Sequence, residues 1–336
     1  MEIEKALKEK TILYALWDCE SDTGWTNYQF DSPLRKIFKK VIKFDPRKKR
    51  FLYGSKLMKE KFLEIVRISR PDYVFLMVGS DEMNIDTLEE IKKISPKTKT
   101  IALLTDEDVE FDVFSRYYAL FVDYCMVTQP RYLYLYDKDG LKNGLPMVGF
   151  NVELFKPLKV PKIYDISFVG QQYTPRVDLI RFLIKNKINI NIWGQGWLDY
   201  DDLRDLIKGG PVNVEKYIEI TNKSKITLCL VKNKYGNPHV SHRPFEVAAC
   251  KSFQLLDYAP EYLDYFKENK EIILFKSKED LLKKINYYLK NDALRKKIAN
   301  AAYIKVINSY DIKDSLKEFF KSILEYEESG YKRTIP

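Results

Sequence analysis

The chain has 336 residues, 45% of them hydrophobic, which is enough for two domains of roughly 150 residues each. No apolar run approaches the roughly 20 residues that cross a bilayer, and the charged first ten residues lack the apolar core of a signal peptide, so we expect no transmembrane segment and a cytoplasmic location. The four cysteines are scattered without metal-binding spacing, which favours reduced core cysteines over a zinc motif or a disulfide framework.

The net charge of +9 is unevenly distributed along the chain. Subtracting the number of Asp and Glu from the number of Lys and Arg gives a net charge of 25 − 24 = +1 for residues 1–150 and 32 − 24 = +8 for residues 151–336. One local exception is the segment 35–50, where nine basic residues accompany a single acid, Asp45. Such a run is typical of a solvated helix face, and an anionic acceptor, a nucleic acid or a membrane surface is the functional alternative.

The first half of the chain alternates apolar strands with amphipathic helices. Strands are predicted at residues 11–17, 41–44, 73–78, 100–104, 124–128 and 147–148, and helices at 32–40, 56–69, 85–94, 112–120 and 131–136. Alternation of this kind predicts parallel strands joined by helical crossovers, and hence one doubly wound domain.

Ligands of such sheets bind at the carboxyl ends of the strands. Acid-rich loops follow three predicted strands, at residues 18–25, 79–82 and 105–108. Asp18 and Asp106 are the candidates to position or deprotonate a hydroxyl group, although helix capping is the structural alternative for each acid. No glycine-rich dinucleotide fingerprint occurs in this half.

Residues 149–161 contain two prolines and little periodicity, so they are the predicted linker to a second alternating series. Strands are predicted there at residues 164–169, 188–193, 226–231, 253–256 and 271–275, and helices at 175–186, 214–222, 278–290, 292–308 and 312–327, with a further helix starting at Pro260. The last three helices carry apolar residues at three and four spacing and are predicted to be packing elements.

The turn after the first strand of this series has the features of a phosphate site. Gly170 permits close backbone approach, Thr174 can cap the following helix, Pro175 suits its first turn, and Arg176 adds a positive charge. A strand, a glycine turn and a helix N-terminus together form an anion site. A second tight turn begins at Gly194, at the end of the next strand.

The segment 239–258 concentrates polar groups at the start of one short helix. Both histidines of the chain, His239 and His242, lie here beside Arg243 and Glu246. Pro244 and an acid in the first turn are ordinary helix-start signals, so a cap is the structural alternative to a binding site.

The second half resembles the group 1 glycosyltransferases of the CgeB-like (spore maturation protein) branch, which are two-domain enzymes of the GT-B type. The residues that carry the resemblance are Asp165 to Gly170, Trp193 to Trp197, Ser224 to Leu228, Arg243 to Cys250, Phe253 to Asp257 and Tyr287 to Asn291. In the first half, Arg70-Pro71-Asp72 and the Asp106 loop are similar to the family in a less specific way.

The resemblance implies an α/β protein with two doubly wound Rossmann-like domains facing a cleft. Residues 1–155 would form the acceptor-side domain and 162–312 the donor domain, with 313–336 packing back toward the first. The implied reaction moves a hexosyl or pentosyl group from a nucleotide-diphosphate sugar to a hydroxyl acceptor without a cofactor or metal ion. The acceptor is unknown, with an anionic molecule or nucleic acid among the candidates.

By the same resemblance, Glu246 would hold the ribose of the donor, because one carboxylate can accept hydrogen bonds from both hydroxyls of a cis-diol. The candidate donor-binding residues are Gly170, Arg176, Gly194, His239, Arg243 and Glu246, and the candidate catalytic residues are Asp106, Asp18 and His242.

The sequence departs from the family at two places. Pro238 stands where retaining relatives often have a second glutamate, and Lys251-Ser252 replaces a usual glycine pair. Two other classes of function therefore stay open. One is a glycosyltransferase acting on modified DNA bases, or a nucleic-acid binder; the other is a non-catalytic protein that binds sugar nucleotides.

Overall fold

The computed structural model describes residues 2–22, 24–77, 83–232 and 240–329. The chain forms two compact units, which we call unit 1 (Met1–Asn151 with Ile312–Pro336) and unit 2 (Val152–Asp311). The chain therefore leaves unit 1 in the predicted linker region and returns to it at its last helix.

Unit 1 contains a six-stranded parallel sheet in the order β2-β1-β3-β4-β5-β6. Its elements are α1 (Glu2–Leu7), β1 (Thr11–Ala15), α2 (Trp25–Ile37), β2 (Lys40–Lys43), α3 (Pro46–Ser69), β3 (Tyr73–Met77), α4 (Ile85–Ile94), β4 (Lys99–Leu104), α5 (Glu107–Glu110), a π-helix (Phe111–Ser115), α6 (Arg116–Tyr118), β5 (Tyr124–Val127), a 3-10 turn (Pro130–Tyr132), α7 (Leu133–Lys138) and β6 (Gly144–Pro146).

The central strands of unit 1, β1, β3, β4 and β5, are mostly apolar because both faces of the sheet are covered there. In β3, Val74 and Leu76 enter one core layer, whereas Tyr73 and Phe75 enter the other. Central parallel strands buried on both faces have continuous hydrophobic sequences, which is why they were recognisable in the sequence.

Two helices of unit 1 begin earlier than predicted. Helix α2 starts at Trp25 and contains Pro33 in its interior, whereas the sequence suggested that Pro33 opens the helix. Helix α3 starts at Pro46, where the Asp45 side chain accepts a hydrogen bond from the Lys48 amide, ten residues before the predicted start. A cap and a proline at the first helical position determine this start, although no apolar periodicity marks it.

Unit 2 has its own six-stranded parallel sheet in the order β12-β11-β10-β7-β8-β9. Its elements are β7 (Tyr164–Val169), α8 (Thr174–Lys185), β8 (Asn191–Trp193), 3-10 turns (Trp197–Asp199 and Asp201–Leu206), β9 (Ile207–Gly209), α9 (Val214–Lys223), β10 (Ser224–Cys229), α10 (Arg243–Ala249), β11 (Gln254–Asp257), a 3-10 turn (Pro260–Asp264), β12 (Ile273–Phe275), α11 (Lys278–Lys290) and α12 (Asp292–Ser309). Strand β9 was not predicted, because three residues ending in glycine carry no strand pattern.

The last helix, α13 (Ile312–Ser329), belongs to the core of unit 1. Its buried face consists of Ile312, Leu316, Phe319, Phe320 and Ile323. The Phe320 ring packs against Phe38 of α2 at 4.8 Å and against Tyr73 of β3 at 5.1 Å. Among the helices of the described part of the chain, none combines the length and apolar character needed to cross a bilayer.

Candidate functional site

The strand order of unit 2 defines where a ligand would bind. From β7 the chain runs outward through β8 to β9, and from β10 it runs the other way through β11 to β12. The two directions meet between β7 and β10, which lie side by side. In open α/β sheets, ligands bind at the carboxyl ends of the strands beside this switch point.

Helix α10 begins beside this point and is held there by two polar contacts. The Tyr262 hydroxyl accepts a hydrogen bond from the Ser241 amide at 2.7 Å and donates to the Ser241 carbonyl at 3.0 Å. The Gln254 side chain donates to the Pro244 carbonyl at 2.8 Å. His242 is the N-cap residue of α10, and its side chain makes no capping hydrogen bond. His239 lies outside the described residues.

Glu246 is the buried acid of this site. It lies in the first turn of α10 and is only 7% exposed. Its single ion-pair partner in the described part of the chain is Arg243, whose Nε lies 3.9 Å from Glu246 Oε2. Burial raises the pKa of Glu246 to about 6, and the nearby Arg243 charge opposes that rise. A carboxylate so poorly compensated gains from any hydroxyl donor that reaches it.

Arg243 is positioned by its backbone and aromatic contacts. Its Nη1 donates to the Val169 carbonyl, at the end of β7, at 2.7 Å. Its guanidinium carbon lies 4.5 Å from the centroid of the Tyr217 ring. Tyr217 of α9 was not identified from the sequence, since an aromatic residue on an amphipathic helix is ordinarily a core residue.

Arg176 joins the two central strand ends. Its Nη1 donates to the Gln171 carbonyl at 2.8 Å and its Nη2 to the Leu230 carbonyl, just beyond β10, at 2.6 Å. The guanidinium carbon also lies 4.3 Å from the Tyr173 ring centroid. Two nitrogens of the Arg176 guanidinium therefore hold the ends of β7 and β10 together. Its positive charge remains at the switch point.

The expectation that Thr174 caps the helix after β7 is wrong. Tyr173 is the N-cap residue, no side chain caps the helix, and Thr174 is already its first residue. Helix α8 thus begins one residue earlier than the capping role required, with Pro175 following in its first turn.

Gly170 and Gly194 bring two turns into backbone contact. Gly194 has φ of +143°, and a Cβ atom there would overlap the Gly170 carbonyl oxygen. That oxygen accepts a hydrogen bond from the Trp197 indole at 2.7 Å, and the Gly170 amide donates to the Trp193 carbonyl at 2.9 Å. These two glycines consequently join the turns after β7 and β8, and the Gly170 amide is already paired.

Asp257 is a second buried acid at this edge, at the end of β11. Its carboxylate accepts hydrogen bonds from the Val231 amide at 2.7 Å and the Lys232 amide at 3.2 Å. Burial raises its pKa, while these backbone donors lower it. The carboxylate therefore fixes the chain as it leaves β10, in contrast to Glu246, whose oxygens face no such donors within the described residues.

In unit 1, Asp18 and Asp106 lie beyond the carboxyl ends of β1 and β4, with β3 between these strands. Both are exposed and both adopt left-handed backbone conformations, with φ of 57° and 61°. Asp106 is the N-cap residue of α5 but makes no side-chain capping hydrogen bond. The structure therefore puts both acids at one edge of the sheet, on separate strands. The loop 79–82 lies outside the described residues.

Glu107 was missed in the sequence although its neighbour Asp106 was selected. It is 2% exposed, and its Oε1 accepts a hydrogen bond from the Tyr136 hydroxyl at 3.1 Å. Burial raises its pKa to about 7. The buried residues Glu107, Phe111 and Ser115 recur every four positions, and this spacing was the available signal that Glu107 faces inward.

The basic run 35–50 pairs with acids elsewhere in unit 1. Arg35 and Lys43 contact Asp31, Lys39 contacts Glu9, and Lys48 and Lys49 contact Glu20, all at 2.8–3.4 Å, while Arg47 lies over the Trp17 ring at 4.0 Å. The sequence showed only one acid within the run, because the pairing acids come from the turn after α1, from α2 and from the loop after β1.

Comparison with known proteins gives a consistent result. Residues 176–321 match a family model described as glycosyl transferase-like. The chain is 23% identical over 274 residues to Spore protein CgeB of Bacillus subtilis (strain 168), covering 76% of this chain and 83% of that protein.

Solved structures of similar fold are those of Anabaena Alr3699/HepE in complex with UDP and glucose (TM-score 0.66, 12% identity, 94% of this chain and 100% of that one) and of a glycosyltransferase from Rickettsia africae (TM-score 0.68, 14% identity, 96% and 99%).

The predicted α/β fold class is confirmed, since the solved structures of similar fold are GT-B glycosyltransferases. The family match and these structures support sugar transfer from a nucleotide-sugar donor. Within that class, the match to Spore protein CgeB confirms the resemblance to the CgeB-like group 1 branch.

Proposed function

We propose that unit 2 binds a uridine diphosphate sugar at the β7–β10 switch point and that its sugar is transferred to a hydroxyl acceptor without a metal ion. The observation that carries the proposal is Glu246, a buried carboxylate whose ion-pair partner is 3.9 Å away. A ribose cis-diol would supply two hydroxyl donors to it. Uridine is the first base to test because solved structures of similar fold contain UDP.

The positive charge beside Glu246 suits the diphosphate of such a donor. Arg243 and Arg176 are tied to the ends of β7 and β10, so they would meet the ligand already oriented. Preorganised charge of this kind stabilises a departing diphosphate at little reorganisation cost. The candidates for the base that deprotonates the acceptor hydroxyl are Asp18, Asp106 and His242.

Metal independence is supported by how the two buried acids of this edge are used. Glu246 is associated with Arg243, and Asp257 accepts two backbone amides. Within the ranges that the structure describes, no three His, Cys, Asp or Glu side chains come together as metal ligands. Two arginines supply the positive charge that a divalent ion would otherwise bring to the diphosphate.

A thermal-shift series tests the proposal. Uridine, guanosine, cytidine and thymidine diphosphates and their sugars are added separately, and a ligand at about 100 times its dissociation constant adds roughly 2.7 kcal/mol to the free energy of unfolding. We expect the largest shift from the uridine series. If only the nucleotides of another base shift the unfolding temperature, that base takes the place of uridine in the proposal. If no nucleotide shifts it, the proposed donor site is wrong.

A further inference from the structure

The middle of helix α3 presents an apolar surface to solvent. All seven residues of 51–57 are exposed, and we call this segment the apolar elbow. Phe51 is 90% exposed, Leu52 54%, Tyr53 45% and Leu57 42%. Single exposed apolar residues are normal on proteins, but contiguous ones with two leucines and two aromatic rings indicate an interaction surface.

The backbone explains why this surface is not folded onto the core. Gly54, at φ 77° and ψ 166°, interrupts α3 in a non-helical conformation. Between Pro46 and Met58, no residue of α3 is buried. The first half of the helix therefore contributes nothing to the core after Pro46, and the second half, from Met58 onward, packs on the core through Phe62, Leu63 and Val66.

The apolar elbow lies within a positively charged segment. Residues 46–61 contain seven Lys or Arg and one acid, Glu60, which gives 7 − 1 = +6. Glu20 pairs with Lys48 and Lys49, and Glu90 pairs with Lys59. Including these two acids leaves 7 − 3 = +4 around the elbow.

We propose that the apolar elbow docks onto an anionic lipid bilayer. A membrane interface accepts aliphatic and aromatic side chains at the level of the acyl chains and headgroups, and anionic headgroups attract the surrounding lysines and arginines. Nucleic acid would use the positive charge and could stack on the rings, but it offers nothing to Leu52 and Leu57. A dimer formed through this surface would bring the two +4 surfaces of its copies face to face, and like charges repel.

Vesicle flotation of the full chain tests the docking surface independently of the donor site. Phosphatidylcholine vesicles with and without phosphatidylglycerol are compared at low and high salt. We expect binding to the anionic vesicles at low salt, about fivefold weaker for each charge removed in K56Q/K61Q. F51S/L52S should bind at least about tenfold more weakly than the parent, because the apolar side chains that insert into the bilayer are lost.

The matched control is V113S/L120S, which removes apolar side chains that are 70% and 66% exposed in an acidic region beside Asp112. This variant should bind vesicles like the parent, and the thermal unfolding of all variants should be similar because the altered side chains are exposed.

Three outcomes would overturn the proposal. One is the absence of binding to either vesicle. Another is binding to duplex DNA that K56Q/K61Q weakens and F51S/L52S does not. The third is a dimer in sedimentation that only F51S/L52S dissociates, which would assign the elbow to a second copy.

Discussion

Arg243 Nε and Glu246 Oε2 lie 3.9 Å apart in the first turn of α10, a distance that is too long for a hydrogen bond and short enough for electrostatic attraction. The attraction offsets part of the cost of burying the carboxylate, and among the described residues no hydrogen-bond donor engages it. A ligand hydroxyl can donate a hydrogen bond to this carboxylate, whereas Arg243 only attracts it electrostatically. The first two predictions rest on this difference.

Replacement of Glu246 by Gln tests its role directly. The side chain keeps its size but loses its charge and one acceptor oxygen, so nucleotide binding should weaken by about 1.5–3 kcal/mol. The parent should discriminate against a 2′-deoxy nucleotide in calorimetry, and E246Q should largely cease to do so.

Glu279→Gln is the control for E246Q, because Glu279 is an acid in the first turn of α11 and is exposed. Its loss should leave nucleotide affinity unchanged. If E246Q bound both nucleotides as the parent does, Glu246 would be a helix-cap acid, and the donor site would have to lie elsewhere.

The pH dependence of stability should report the same carboxyl group. Its folded pKa, about 6, is above the ordinary value of 4.5, so its stabilising contribution is complete below pH 4.5 and is lost as the pH rises through 6. The difference of 1.5 pH units corresponds to about 2 kcal/mol. Without ligand, E246Q should therefore unfold at higher denaturant than the parent at pH 7.5, and equal midpoints would contradict the shifted pKa.

Nucleotide binding should release protons near pH 6. If ribose hydroxyls donate to the ionised carboxylate, the ligand lowers the pKa of Glu246, and affinity rises with pH through this range. Calorimetry in two buffers of different ionisation enthalpy measures the released protons, and E246Q should release fewer. Proton uptake on binding would show that the ligand prefers the neutral acid.

Donor binding and turnover should survive a chelator. Arg243 and Arg176 supply the charge at the switch point, and each is held by a backbone carbonyl. The measurement is turnover and nucleotide affinity with and without a strong chelator. Complete loss of activity that manganese or magnesium restores would refute metal independence.

The basic run 35–50 should be dispensable for donor binding. Lys39 forms an exposed ion pair with Glu9, and pairs of this kind contribute about 0–1 kcal/mol. Lys49 forms a partly buried pair with Glu20, within unit 1. Replacing Lys39, Lys40, Lys48 and Lys49 by Gln should leave nucleotide affinity unchanged and alter turnover little. A large fall in turnover at unchanged affinity would instead indicate an anionic acceptor bound here.

The central strands of both sheets were predictable because buried parallel strands are apolar along their whole length, as in Tyr73–Met77, whereas the edge strand β9 was not. The site was only partly predictable. Glu246 was recognisable from its position before a small-residue stretch, whereas Tyr217 beneath Arg243 was not, since it comes from a helix distant in sequence. Local patterns do not encode which side chains meet across a sheet edge.

Exposed segments were the least predictable part of the fold. The first half of α3 has no buried face, so no 3.6-residue apolar pattern indicates it, and only the Asp45 cap and Pro46 mark its start. The turn at Gly170 was predicted as a phosphate site from its glycine, but that glycine is also needed for contact with Gly194. A glycine allows close approach without specifying what approaches.

Because α13 completes the core of unit 1 while the intervening residues form unit 2, the order in which the chain is synthesised differs from the order in which its cores can close. Domains commonly fold from the N-terminus as the ribosome delivers them. Here residues 152–311 have every strand of their sheet before Phe320 has been added, so unit 2 should be the first to mature on the nascent chain. Until α13 is synthesised, the core layer that contains Phe38 and Tyr73 lacks one of its covering helices. A premature stop after residue 311 would therefore expose the part of the chain that was synthesised first to chaperones and proteases.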